Sequence, residues 1–125
     1  MKTLIPALAA LSFASAVFAA PPVVGPRGVL TDPDGMTLYV YDHDPIGSGK
    51  SKCNDSCAER WIPMAATPED VAKAPYTIIT RTDGTRQWAY KGRPLYRWSE
   101  DKKPGDLKGD GIGKAWHSAF ARAKP

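Results

Sequence analysis

The chain has 125 residues and a formal net charge of +4. That length excludes a second large domain and a multi-domain allosteric machine. The basic residues are scattered along what reads as an exported chain, so the charge is read as solubility and no nucleic-acid partner is expected.

Residues 1–19 have the pattern of a secretory signal peptide. Lys2 supplies the positive end, Leu4 to Phe18 the apolar stretch and Val17-Phe18-Ala19 the small-residue cleavage site. The apolar run is short and lacks a stop-transfer flank, so no transmembrane segment is expected. No Cys stands near the cleavage site to take a lipid. The remainder, periplasmic or extracellular, keeps four Trp and five Tyr but few aliphatic side chains. Its core must be largely aromatic. Twelve Pro and eleven Gly favour turns over long helices.

Residues 20–27 read as an extended Pro-rich lead-in, followed by a single domain over 28–125. Gly28 to Thr31 is a short predicted strand. Asp32-Pro33-Asp34-Gly35 is a turn, with Pro presetting φ and Gly accepting a positive φ. Met36 to Tyr41 is the returning strand, with Tyr39 and Tyr41 on one face and Leu38 and Val40 on the other. Asp42 to Lys52 is a loop, and Ser56 to Trp61 has room for one or two helical turns. Thr67-Pro68-Glu69-Asp70 resembles a helix start, so a helix is expected within 65–74. Tyr76 to Thr82 and Thr85 to Tyr90 form a hairpin around Asp83-Gly84. Lys91-Gly92 turns into a strand over Pro94 to Trp98. Glu100 to Gly113 is a loop, and Lys114 to Ala123 a predicted terminal helix carrying Trp116 and Phe120 at i, i+4.

Two segments repeat at an offset of 57 positions. Gly35, Leu38, Tyr39, Tyr41 and Asp44 align with Gly92, Leu95, Tyr96, Trp98 and Asp101. A Gly-rich loop follows each segment, then Trp61 or Trp116. The expected fold is mainly β with short helices, a small domain of two pseudo-symmetric β-hairpin repeats. The repeats span about 28–66 and 76–120. Neither has enough apolar surface to fold alone. Each carries Tyr-x-aromatic-x-x-Asp. Alternation sets the two rings side by side, and the Asp falls past the strand end, where its carboxylate can accept N–H bonds from the next loop. The alternative is a ring-lined ligand site with an Asp at its mouth.

These motifs, with Cys53-x-x-x-Cys57-Ala58-x-x-Trp61 and Gln87-Trp88-x-Tyr90-x-Gly92-x-Pro94-Leu95-Tyr96, resemble the bacterial secreted-repeat family. Its members are often labelled predicted lipoproteins with a Yx(F/W/Y)xxD motif. The resemblance implies no defined biochemical activity. Many relatives are lipoproteins, whereas this chain has no lipobox Cys, and Trp61-Ile62-Pro63 stands where relatives tend to have Trp-Pro-Pro.

Cys53 and Cys57 are the only cysteines. In an exported protein such a pair is expected as a disulfide. The alternative is a soft metal or thiol-redox pair that takes copper with His43 or His117, and Met36 or Met64 as further ligands. His43, between Asp42 and Asp44, could also serve a hydrolase. An EF-hand starting at Asp32 would need an acid where His43 stands. Gly109 to Lys114 lacks residues that a phosphate loop requires. Arg and Lys interleaved with rings from Arg86 to Trp98 suggest either a stacking platform or an aromatic core with a basic face. The leading expectation is a monomeric, non-enzymatic exported protein with no cofactor. It would bind a small ligand or envelope component in the loops near Asp44 and Asp101.

Overall fold

The computed structural model describes residues 21–121 of the chain. The expected signal peptide lies outside the described residues. Nine short strands follow in order: β1 (Val23–Val24), β2 (Leu30–Thr31), β3 (Leu38–Tyr41), β4 (Trp61–Pro63), β5 (Tyr76–Thr80), β6 (Arg86–Tyr90), β7 (Arg93–Pro94), β8 (Tyr96–Trp98) and β9 (Trp116–Ser118). One helix, α1 (Ser56–Arg60), follows the first long loop.

The central sheet is antiparallel, in the order β4-β8-β3-β9. Tyr39 sits opposite Tyr96 at its centre, so a pseudo-two-fold axis passes between the two motif strands. β4 of the first repeat pairs with β8 of the second, Trp61 opposite Trp98. β9 of the second pairs with β3 of the first, Tyr41 opposite Trp116. Each repeat therefore hands its last strand to the other. The exchange continues past the strands: Trp88 N–H donates to the Met64 carbonyl (2.9 Å) and Leu30 N–H to the Ala119 carbonyl (2.8 Å).

Alternation gives the sheet two apolar faces. Leu38, Val40 and Leu95 pack with Met64, Trp88, Tyr90 and Ala119 in a mainly aliphatic layer. There they meet the second sheet, β5-β6-β7. Tyr39, Tyr96, Trp61, Trp116 and Cys53 form the aromatic layer on the other face. The β5–β6 hairpin closes around Asp83-Gly84, where the Asp83 carboxylate accepts the Thr85 N–H at 2.9 Å. The first repeat has only the two-residue ribbon β1–β2 in the corresponding place.

The two outer strands are protected from edge pairing. The Ser118 N–H of β9 donates to the Asp110 carboxylate at 2.8 Å, and the Gly111 N–H to the Trp116 carbonyl at 2.7 Å. Pro63, two residues after Trp61 as Ser118 is after Trp116, has no N–H to protect.

Several local expectations are corrected. Residues 66–75 form turns rather than a helix. The Asp70 carboxylate accepts the Thr67 N–H (2.7 Å) and the Asp70 N–H returns to the Thr67 carbonyl (3.1 Å). One turn is closed this way, and Pro75 steers Ala74 away from helical geometry. The expected terminal helix is replaced by a short 3-10 turn, Ile112–Lys114, and β9. Trp116 and Ser118 are buried and His117 half-buried, a two-residue period, while Phe120 is exposed and forms no helical pair with Trp116. The lead-in contributes β1, and Trp61–Pro63 is a strand that local pattern did not reveal.

Candidate functional site

The motif residues meet across the pseudo-two-fold axis. The Tyr39 hydroxyl donates to Asp101 Oδ2 and the Tyr96 hydroxyl to Asp44 Oδ2, each at 2.6 Å. The second carboxylate oxygens hold the loops: Asp44 Oδ1 accepts the Lys52 N–H (2.6 Å) and Asp101 Oδ1 the Lys108 N–H (3.0 Å). The Tyr39 hydroxyl also accepts the Gly109 N–H at 3.1 Å, and Ser51 Oγ lies 2.5 Å from the Tyr96 hydroxyl. Asp44 and Asp101 are both buried. Burial raises Asp44 above the usual carboxylate range, against the opposing pull of its bonds from Tyr96 and Lys52. Burial, reinforced by the carboxylate partner, raises both tyrosine hydroxyls. Each Asp therefore ties a tyrosine of the opposite repeat to the loop of its own.

Beside them runs a ladder of rings in the order Tyr41, Trp116, Trp61, Trp98. The two central indoles lie parallel, 3.8 Å between centroids and 2° between planes. Tyr41 stacks on Trp116 at 4.2 Å, and Trp98 lies against Trp61 at the same distance. Tyr39 and Tyr96 meet Trp61 and Trp116 edge-on, at 5.4 and 5.1 Å. The rings of Trp88, Tyr90 and Tyr96 are buried and offer no exposed stacking platform.

Cys53 and Cys57 form a disulfide, with S–S 2.05 Å. Buried Arg81 donates to the Cys53 carbonyl at 2.5 Å and to Gln87 Oε1 at 2.7 Å. Gln87 in turn donates to the Leu95 carbonyl at 2.8 Å. This chain of buried bonds joins the disulfide loop to β6 and β8. No sequence motif marks Arg81, Gln87 or Ser51; Arg81 meets Cys53 across 28 positions and Ser51 meets Tyr96 across 45.

The sulfurs are bonded to each other and so are not thiolate ligands here. His43 lies against Tyr41, ring centroids 5.0 Å apart. His117 Nε2 is 2.8 Å from the Asp42 carboxylate. Among the described residues no three His, Cys, Asp or Glu side chains cluster as a metal group.

A concave surface lies elsewhere. A groove of about 640 Å³ runs between the β1–β2 ribbon, the Asp32–Gly35 turn and the loop that follows β8. Val23, Pro26, Val29, Pro33, Pro104 and Leu107 form its apolar walls. Its volume is in the range of small-molecule sites. Asp32 also lines it, but Asp32 Oδ1 accepts the N–H groups of Asp34 and Met36 at 2.9 Å, and Oδ2 faces Arg97 Nε at 3.6 Å.

The two halves differ in how this turn meets its glycine. At the corresponding place in the other half, the Gly47 N–H donates to the Gly92 carbonyl at 2.8 Å. A Cβ on Gly92 would lie 2.7 Å from the Gly47 nitrogen, so that seam admits nothing. The turn over 45–48, closed by the Ser48 N–H on the Pro45 carbonyl (3.2 Å), corresponds to the turn over 103–106, closed by the Asp106 N–H on the Lys103 carbonyl (3.1 Å). Gly105 is therefore the counterpart of Gly47, both with positive φ, and Pro104 of Ile46, while Gly35 is that of Gly92. In this half the contact is made by a side chain instead: a Cβ on Gly35 would lie 3.2 Å from Pro104 Cβ. Arg27, at the groove rim, holds a left-handed backbone (φ 60°, ψ 19°). That conformation costs a residue other than Gly roughly 1–2 kcal/mol.

The fold and groove define a small β protein of two interlocked repeats. Residues 23–65 and 77–119 each match the model of a family described as a secreted repeat of unknown function. The two matches cover well over half of the chain, and the chain belongs to this family. No curated protein and no solved structure matches it. Among the described residues no helix is long and apolar enough to cross a membrane.

Proposed function

We propose that the chain is an exported, monomeric, non-enzymatic binding protein, released by cleavage after about Ala19, whose ligand occupies the Pro104 groove. The observation that carries this reading is the groove itself, about 640 Å³ between walls of Val, Pro and Leu side chains. The motif supports it from the opposite direction. The carboxylates of Asp44 and Asp101, which acid–base chemistry would need free, are occupied by Tyr96, Tyr39 and the loop amides. The repeats then act as a rigid scaffold that presents the groove.

The test is the neutral apolar dye N-phenyl-1-naphthylamine added to the mature protein. Saturable fluorescence enhancement is expected. Leu107 lines the groove and is 46 % exposed, so Leu107→Glu should fold normally. It should weaken the dye by about tenfold by placing a charge in an apolar wall. A parent protein that gives no enhancement, or a variant that binds as the parent does, overturns the reading.

A further inference from the structure

We infer that the groove takes a single-chain amphiphile with an anionic head, the tail lying along the Pro, Val and Leu walls and the head meeting Arg27. This rests on the groove as the binding site and goes further by fixing the chemistry of its occupant. The first observation is the lining. No aromatic ring contributes to it, so it lacks the stacking surface for a sugar or nucleobase. Pro26, Pro33 and Pro104 also cannot donate backbone N–H bonds to a polar ligand. An aliphatic chain needs neither.

The second observation is Arg27. It is exposed, lines the groove, and makes no side-chain hydrogen bond or ion pair among the described residues. The other arginine beside the groove, Arg97, already faces Asp32. Arg27 holds a left-handed backbone directly before Gly28 at φ 75°, a turn geometry that Lys91 before Gly92 shares and that glycine also accepts. The turn that carries it is fixed by three backbone bonds: Gly25 N–H to the Val29 carbonyl (2.8 Å), Gly28 N–H to the Gly25 carbonyl (3.2 Å) and Ala121 N–H to the Gly28 carbonyl (2.8 Å). A cation on the lining of an apolar groove, with no protein partner among the described residues, complements an anionic head. The charge of Asp32 does not oppose this head, because Arg97 and two amides compensate it.

Decanoate and decanol share a chain and differ in head group. Each is titrated, below its aggregation limit, into uniformly ¹⁵N-labelled mature protein, with amide shifts followed at 25–31 and 105–107. Decanoate is expected to bind about tenfold more tightly than decanol, the scale of one charge-assisted contact. Arg27→Gly suits the backbone angle and should fold. It should abolish that preference while leaving decanol unchanged, and Arg27→Lys should keep most of it. Equal binding of decanoate and decanol to the parent overturns the anionic head and leaves the groove reading standing. Decanol binding with no decanoate binding does the same. Failure of both, with the dye still bound, overturns the amphiphile alone, whereas failure of the dye as well overturns the groove. Arg27-dependent sedimentation with phosphatidylglycerol vesicles, without decanoate binding, would assign the surface to a membrane and overturn the soluble ligand.

Discussion

At the residue scale, the two motif aspartates have equivalent structural duties. Each accepts one tyrosine hydroxyl from the opposite repeat and one amide from its own loop. Asparagine keeps the shape but has one acceptor oxygen and puts an NH₂ group against the second donor. Asp44→Asn and Asp101→Asn should therefore each lower unfolding free energy by about 1–3 kcal/mol, and by similar amounts, in urea melts. A large loss at one site with none at the other would contradict the two-fold account. The pH dependence contains opposing contributions. Backbone and hydroxyl donors hold the exposed Asp83 and Asp106 below the usual carboxylate range. Their stabilisation is present above the unfolded value and is lost as pH falls through the folded one. Asp44 is raised, so its contribution is present below the unfolded value and is lost as pH rises through the folded one. In carboxyl NMR titrations Asp44 should titrate above the unfolded-chain aspartate and Asp106 below it. The Asp83→Asn/Asp106→Asn double variant should lose less melting temperature than the parent between about pH 5 and 3.

At the element scale, elements made by local contacts were legible and those made by exchange were not. Tyr39 and Tyr41 against Leu38 and Val40 foretold a strand buried on both faces, and Asp83-Gly84 foretold the β5–β6 hairpin. The internal repeat foretold the pairing of like units. β9 was hidden because Trp116 and Phe120 satisfy a helical spacing locally. The partner that decides the matter, β3, lies some 75 residues upstream. β4 was hidden for the same reason. In the candidate site, the loop-fixing use of each Asp was readable from its place past a strand end, but the reciprocal tyrosine bonds require the fold. The groove left less trace, since most of its walls are Pro, Val and Leu with no pattern of their own.

At the scale of the whole molecule, the exchanged strands make the two repeats one cooperative unit. Each half contributes one indole to the central Trp61–Trp116 stack and one of the two edge strands of the four-stranded sheet. A separated repeat would expose an unpaired motif strand, an unmatched indole and a tyrosine without its carboxylate. It would also bury too little apolar surface to offset its chain entropy. Fragments 20–70 and 71–125, divided in the turn-rich connector, should each be largely unfolded. Mixed at equal concentration they should recover the near-ultraviolet dichroism of the stacked indoles, and Trp116→Ala in the second fragment should abolish that recovery. A first fragment that folds by itself, with dispersed amide signals, would mean that the disulfide loop and β3 form a core without the second repeat, and that strand exchange is not what holds the protein together. Complementation would instead place the energetic centre of the fold on the pseudo-two-fold axis, where Tyr39 meets Tyr96. The groove then lies on the periphery, and none of its lining residues belongs to the stack that keeps the halves joined.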